Sequence, residues 1–523
     1  MRLPDTKPLR IVFVCDASKV LEIWQKRLID RIVTTPHLEV VAIIEKAMQT
    51  ASRKTSRIFE LFAKFEKKLL LHMPDYSAVT DFEQLKCSAT DKTVERKMNE
   101  LKADIVFNCI SERLPAGVLA NVTFGEWRFN FCDELDDVAD WFGYAAIINN
   151  EAASELVLIN RTDAGKIKRI ASAAFNIKFS GARSSAFIKE RAVTMAMREL
   201  NRLAVTGQIA TEQKQLPSCS AAPSNGATIK YITMLIAQLA RRGLKMAVEK
   251  FGVETALWTL YTGLGSIDKF DLSSSAEISS SSKAVKADPF LFAQGGTDYV
   301  FYETFLDGEK KAHIAVGRLE GDELVPLGPA LVCGYHLSFP FVFEDAGNVF
   351  MMPETHASHR VEIWRCVDFP LKWELYSTAL EGKSAADNVL TKHRGKWWLF
   401  TNLSDFHAFE DHCSELYVFQ VDGPKLNTVI PHKHNPVVMG SLEARNAGRV
   451  VECNGFLLRP SQRNAYGIYG YGLNIMQIDD LSINNYQEHC IRSIEPNFNN
   501  KIYGCHHFDA AGGRYVVDAR VGN

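Results

Sequence analysis

The sequence predicts a multi-domain chain in which a parallel α/β domain and a helical connector precede an all-β five-bladed propeller. Three observations carry this reading. Residues 1–180 alternate strand and helix patterns, residues 181–283 hold two long stretches of helical periodicity and a Ser-rich run, and one pattern recurs five times from Lys286 to Arg520. Strand–helix alternation with near-continuous apolar strands signals a parallel sheet covered on both faces. A repeat of about 45–60 residues is the period range of propeller blades.

In the first region LRIVFVCD reads as a buried strand, VLEIWQKRLIDRIVTT as a helix and LEVVAIIEK as a second strand. ADIVFNCI, GEWRFNFCD and SELVLINRTD supply three more. FIKERAVTMAMRELNRLAV and TIKYITMLIAQLARRGLKMAVEKFG follow as helices, the second basic at Arg241, Arg242 and Lys245, which reads as a solvated face. DLSSSAEISSSSKAV reads as a flexible linker. The five repeats begin at ADPFLFAQGGTDYVFYETF, HLSFPFVFEDAGNVFMMPET, AADNVLTKHRGKWWLFTN, LEARNAGRVVECNGFLLRPSQ and GCHHFDAAGGRYVVDAR. Each pairs two strands rich in Val, Phe, Tyr and Trp, as half-buried sheet requires. The first strand of a blade lines the central channel, so Asp288, His336, Asp387, Arg445 and His506 are expected to converge on one mouth.

Composition bounds the function. The chain has 523 residues, 46% of them hydrophobic and 23% charged, with a formal net charge of −2. Two or three domains, no nucleic-acid footprint and no electrostatic membrane anchor follow. Eleven cysteines without CxxC spacing fit reduced thiols, and MRLPDTKPLRIVFVCD enters a strand without the regions of a signal peptide. No apolar run is long enough to span a bilayer. The expectation is a cytoplasmic protein. No GxGxxG follows the first strand, which argues against a dinucleotide.

The first 180 residues resemble the catalytic domain of formyltransferases, through LRIVFVCDAS…LEVVAIIE, ADIVFNCISERLPAGVLANVTFGEWRFNFCD and GYAAIINNEAASELVLINRTDAGKI. The resemblance implies formyl-tetrahydrofolate as cofactor and an Asn, a His and an Asp as the site. Those positions fall on Arg128, Asn130 and Asp163. Asn130 can donate to an oxyanion but cannot exchange a proton near neutral pH. A degenerate domain with the cofactor disfavoured is therefore expected, and Asp163 serves equally well as a turn residue before Gly165.

Residues 286–520 resemble the propeller module of glucosamine inositolphosphorylceramide transferases, itself related to the five-bladed glycosidase clan that includes family 43. FPFVF, MMPET, VDFPLKWEL, KWWLFTN, RNAGR, RPSQ, YGYGLNI and GCHHFDAAGGRYVVDAR carry the likeness. The clan's chemistry implies carboxylates projecting from inner strands, with their separation deciding retention or inversion. Asp288 and Asp387 stand at the matching strand starts and Glu354 could supply an acid; caps and turns are the bland alternative for the aspartates. Arg445, Asn446, Arg459 and Gln462 are hydrogen-bonding side chains suited to phosphate, carboxylate or sugar hydroxyls.

His506 and His507 are adjacent, so on a strand only one would reach the channel. His432 and His434 share a face and read as surface histidines, with no metal site expected. Of Trp397 and Trp398, one packs in the core and the other could stack on a sugar. The ligand is expected to be a sugar, nucleotide sugar or glycan. The reading that follows is a transferase of glycan or polysaccharide biosynthesis acting on an activated sugar. The alternatives are a sugar N-formyltransferase and a non-catalytic glycan-binding partner of an assembly complex.

Overall fold

The computed structural model describes residues 7–522 apart from 48–55, 90, 133–139, 163–164, 216–222, 251–255, 281–283, 306–310, 405–408 and 410. The chain divides into two compact units, Met1–Ala240 and Arg241–Asn523.

The first unit is built on β1 (Leu9–Asp16), β2 (Leu38–Lys46), β3 (Lys86–Ala89), β4 (Ile105–Asn108), β5 (Glu126–Phe129), β6 (Ser154–Arg161) and β7 (Ile167–Phe175). Their order is β3-β2-β1-β4-β5-β6-β7. The first five run parallel, and β6 and β7 are antiparallel additions at one edge. SELVLINRTD is therefore a strand, but it runs back antiparallel along β5, where the sequence pattern had placed it in a parallel sheet. The central strands bury Ile11, Val12, Phe13, Val14, Val106 and Phe107 completely or nearly so, as a sheet covered on both faces demands.

Helices α1 (Ile23–Val33), α2 (Arg57–Leu70), α3 (Phe82–Leu85), α4 (Asp91–Leu101), α5 (Ala116–Leu119), α6 (Phe142–Ile148) and α7 (Gly181–Thr206) accompany this sheet. Ser180 caps α7 by accepting from the Arg183 N–H, and Gly207 ends it at φ +66°. α7 packs on α1, α6, β6 and β7, so it is part of the α/β unit and not of a connector. α8 (Asn225–Lys250) lies beside α2, with Tyr231 against Phe62 and its hydroxyl donating to Glu66. Arg241 and Arg242 of α8 are exposed. No described helix is long and apolar enough to cross a membrane.

The second unit is a five-bladed propeller. Blade one is β10 (Ala287–Gln294), β11 (Thr297–Phe305), β12 (Ala312–Glu320) and β13 (Glu323–Leu331). Blade two is β14 (Ser338–Asp345), β15 (Asn348–Glu354), β16 (Val361–Asp368) and β17 (Lys372–Ala379). Blade three is β18 (Ser384–His393), β19 (Lys396–Ser404), β20 (Glu415–Val421) and β21 (Val429–Pro431), with β22 (Val438–Met439) also on β20. Blade four is β23 (Val451–Cys453), β24 (Phe456–Ala465), β25 (Ile468–Leu481) and β26 (Tyr486–Ile494).

Blade five is composite. β27 (Ile502–Gly504), β28 (Phe508–Ala511) and β29 (Arg514–Gly522) come from the end of the chain, while β8 (Ala256–Leu264) and β9 (Ala276–Glu277) come from before blade one. β8 pairs antiparallel with β29 along its whole length, from Arg514↔Leu264 to Gly522↔Ala256. These strands fall in the stretch read from sequence as connector and linker. Gly263 sits opposite Tyr515, where an added Cβ would lie 2.3 Å from the phenol oxygen, so only glycine admits that ring.

The blades pack through interleaved apolar faces. Trp398 is buried among Phe341, Phe400 and Val418, and Trp397 packs against the same cluster from a half-buried position. His432 is also buried, at 2% exposure, which corrects its reading as a surface residue: β20 and Tyr486 cover it.

The closure of blade five makes a direct prediction. Leu260 of β8 is fully buried and Leu264 is 76% exposed. Leu260→Ala should cost about 2–5 kcal/mol in urea unfolding of the propeller, while Leu264→Ala should stay within about 0.5 kcal/mol of the parent.

Candidate functional site

Blades one to three share one local device on their inner strands. Pairing slips between Ala287 and Phe290 in β10, between Ser338 and Phe341 in β14, and between Ala386 and Val389 in β18. At these bulges Asp288, Phe339 and Asp387 take φ of +51°, +47° and +49°. Left-handed backbone costs a non-glycine residue roughly 1–3 kcal/mol, and a bulge re-aims its side chain out of the strand's alternation. Two of the three positions hold an aspartate, the residue type that tolerates this conformation best after Gly and Asn.

Asp387, 1% exposed, accepts from Arg445 twice, at 2.6 Å from Nε and 3.2 Å from Nη2. The same Nη2 lies 3.4 Å from Glu354 Oε2, and the Asp387 N–H donates to that oxygen at 3.3 Å. Glu354 ends β15 and is bound by His356 Nδ1 at 2.7 Å. One arginine thus serves two buried carboxyls. Burial, partly offset by Arg445, and the neighbouring Glu354 charge push Asp387 up to about 7. Glu354, despite burial, is held well below the usual carboxylate range by His356 and Arg445. The pair therefore holds one carboxylate and one carboxyl that exchanges its proton near neutral pH.

A second group stands in blades one and five. His506 Nδ1 is 2.6 Å from Asp518 Oδ2, and its Nε2 is 3.8 Å from Asp288 Oδ1. Asp518 also accepts from the backbone N–H groups of Asp288, His506 and His507. Burial opposes the charge on His506, yet the Asp518 and Asp288 carboxyls raise it to about 9. Burial drives Asp288 well above its ordinary value, although His506 pulls the other way. Its Oδ2 accepts from the Phe339 N–H at 3.2 Å, which ties blade one to blade two. Asp288, His506 and Asp518 bring one ligand atom each within 4.8 Å of one another, a spacing that would admit a cation. Asp518 already accepts three N–H bonds, so protonated His506 supplies the balancing charge.

Tyr469 bridges the two groups. Its ring lies edge-on to His506 at 5.4 Å, and the Arg445 guanidinium is 5.3 Å from its centre. Trp258 stacks on His506 at 4.0 Å. Tyr469 is exposed and Trp258, His336, His356 and Arg445 are part-exposed around the buried acids and His506. His336 sits just before β14, with Nε2 3.3 Å from Glu303 and its ring 6.3 Å from His356. His412 follows at 5.6 Å from His356, bonded to Ser384 and pushed down to about 4 by burial.

Asp288, Glu354, Asp387, Arg445 and His506 thus come together, with His336 beside them. The others have different roles. Arg459 is fully buried and forks onto Glu488, so it faces the blade interior. Asn446 is buried, donates to the Asp387 carbonyl and accepts from Arg459, which makes it a brace for the Asp387 bulge. Gln462 is buried, and its N–H donates to the Arg445 carbonyl. His506 and His507 do not alternate across a sheet, because they precede β28; both rings lie within 4 Å of Asp288. His507 is wedged edge-on against Phe290 and Phe339 and pushed down to about 4 by burial.

In the first unit Asn130 uses both ends of its amide on the backbone of β6, donating to Glu155 and accepting from Val157. Arg128 is likewise buried and donates to the carbonyls of Ser111 and Cys132. Asp163 lies outside the described residues.

Comparison with known proteins places a family on the propeller. The family described as glucosamine inositolphosphorylceramide transferase 1, N-terminal, matches residues 270–510. The family match is confined to the propeller. Glucosamine inositolphosphorylceramide transferase 1 of Oryza sativa subsp. japonica is 35% identical over 206 residues, 39% of this chain and 27% of the relative. Its counterpart in Arabidopsis thaliana is 36% identical over 207 residues, 39% of this chain and 26% of the relative. The chain therefore spans about a quarter of the length of the curated relatives it matches. Among solved structures, a thermostable family-43 glycoside hydrolase is 12% identical, with a TM-score of 0.30 and coverage of 40% of this chain and 75% of that one. The catalytic domain of a Coprinopsis cinerea GH62 α-L-arabinofuranosidase is 12% identical, with a TM-score of 0.34 and coverage of 51% and 97%.

Two outcomes test the electrostatics. Arg445→Gln should cost about 3–5 kcal/mol of stability at pH 8, where Asp387 must lose its partner and take up a proton, and clearly less at pH 5.5, where Asp387 is already protonated. His506 is raised from about 6.5 in the unfolded chain to about 9. Its contribution is complete below about pH 6.5 and is lost as pH rises through about 9. The melting temperature should fall across that window, and His506→Gln should flatten the fall.

Proposed function

We propose that the propeller binds a sugar-bearing ligand at the Asp288–Asp387–Glu354 cluster and acts in sugar transfer. The observation that carries the reading is the meeting of Asp387 and Glu354 at one guanidinium, with burial raising Asp387 and His356 and Arg445 holding Glu354 ionised. Two carboxyls pushed apart in this way are what acid–base chemistry at a glycosidic centre needs. Asp387 would give its proton to the departing oxygen as the anomeric C–O bond breaks. The ionised Glu354, oriented by His356, would stabilise the positive charge developing on the sugar ring or take the proton of an acceptor hydroxyl. The part-exposed ring of Trp258 and the exposed ring of Tyr469 offer faces on which a sugar can stack. The match to a family named for a glucosamine transferase supports the sugar class. The use of an activated sugar donor belongs to the same proposal.

A second reading, a glycan-binding module without turnover, is favoured by one observation: Asp387 and Glu354 are buried to 1% and 6% exposure and both hold Arg445. Asp387→Asn distinguishes the two readings, because it removes the exchangeable proton while keeping the shape. Under the catalytic reading, sugar transfer or hydrolysis with a panel of nucleotide sugars and aryl glycosides falls at least about a hundredfold. The parent rate then declines as pH rises through about 7. Under the binding reading the same panel gives no turnover with either protein, and ligand-observed NMR shows affinity weakened by about 1–3 kcal/mol. Sugar binding that neither Asp387→Asn nor Asp288→Asn alters would place the site elsewhere.

A further inference from the structure

We propose that the α2–α8 side of the first unit is a docking surface for an anionic lipid bilayer. α2 has three faces. Phe59, Ala63 and Glu66 point into the unit and are buried. Beside them a second stripe, Ile58, Leu61, Phe65 and Leu69, is 47%, 71%, 61% and 56% exposed. The third face carries Lys64, Lys67 and Lys68, all exposed, with Arg57 on the first turn and Glu60 as the single part-exposed acid. Lys67 stands 3.7 Å from Asp140 and is still more than half exposed.

A helix needs one apolar stripe to pack on its own protein, and α2 has a second one. α8, which lies against α2 through Tyr231 and Phe62, repeats the feature: Ile229 and Ile236 are 58% and 62% exposed next to the buried Tyr231 and Leu235. Adjacent helices that both turn bulky aliphatic and aromatic side chains to solvent mark an interaction site. The chemistry of the rim selects the occupant. Phenylalanine and leucine bordered by lysines is the composition of helices that lie in the headgroup region with their apolar face in the acyl boundary. The lysine ammonium groups can reach lipid phosphates along the edge of that stripe. A second copy of the same face would set these lysines against each other, which disfavours a symmetric pair.

The test is flotation of the full chain with vesicles of phosphatidylcholine alone and of phosphatidylcholine with 30% phosphatidylglycerol, at low and high salt. The expected result is partition at least about tenfold greater onto the anionic vesicles, falling steeply with salt. Leu61→Ser with Phe65→Ser should reduce it about tenfold or more, since each exposed side chain loses most of its apolar transfer. Lys64→Glu with Lys68→Glu should abolish the preference for anionic lipid. All four residues are exposed, so circular-dichroism melting should match the parent. Absence of partition onto either vesicle, or partition that neither pair of substitutions weakens, overturns the proposal. So does a dimer in light scattering that Leu61→Ser with Phe65→Ser returns to monomer, because it assigns the face to a second copy of the chain.

Discussion

Charge balance around the axis of the propeller is the constraint on which the rest of its interior depends. The inner strands of the blades meet there, and the carboxyls gathered around it, from first and second strands, include Asp288, Glu354, Asp387, Asp509 and Asp518, all buried. A buried carboxylate is tolerated only with a partner, and the partners here are Arg445, Arg449 and His506. Arg449 shows how the cations also bind blades together. It pairs with Asp509 of β28, donates to the carbonyls of Leu291 in β10 and Val342 in β14, and lies over the Phe341 ring. The acids outnumber the cations, so the balance is completed by protons. Asp288 and Asp387 are the groups suited to carry them, since burial first and neighbouring acids second raise both. The same scarcity of positive charge that constrains folding leaves a proton-exchanging carboxyl beside an ionised one.

Much of the architecture was legible because it repeats. A turn between an apolar strand and an aromatic strand, met five times, fixes β10/β11, β14/β15, β18/β19, β23/β24 and β28/β29. The closing strand was not legible: β8 reads as an ordinary apolar strand, and nothing local names β29 as its partner. The α/β unit was visible in its apolar strands. The antiparallel return of β6 and β7 was not visible, because apolar strand patterns carry no sign of strand direction.

The site was legible as residue types and not as pairings. Asp288 and Asp387 stand out in ADPF and AADN because an aspartate inside an apolar strand needs a reason. Arg445 looked like a free fork for a ligand, yet it is taken up by Asp387 and Glu354, 58 and 91 positions away. Arg459 is taken up in the same way by Glu488. Asp518 was missed although VVDAR carries the same signal as ADPF, a lone acid among valines. His356, Tyr469 and Trp258 carry no such mark, since nothing in their neighbours separates a ring at the axis from a ring in a blade.

The pairing of β8 with β29 also sets a clock on synthesis. Leu264 must wait for Arg514, about 250 residues later, and a ribosome adding ~5–20 residues per second needs roughly 12–50 s to deliver it. Through that interval β8 has one edge without its permanent neighbour, and blades one to four form against an axis with a gap in its wall. A nascent chain in this state offers a strand edge to any other strand nearby, including the β29 of a finished neighbour on the same message. Exchange of a last blade between two copies, each completing the other's ring, is the assembly error that this order of elements invites.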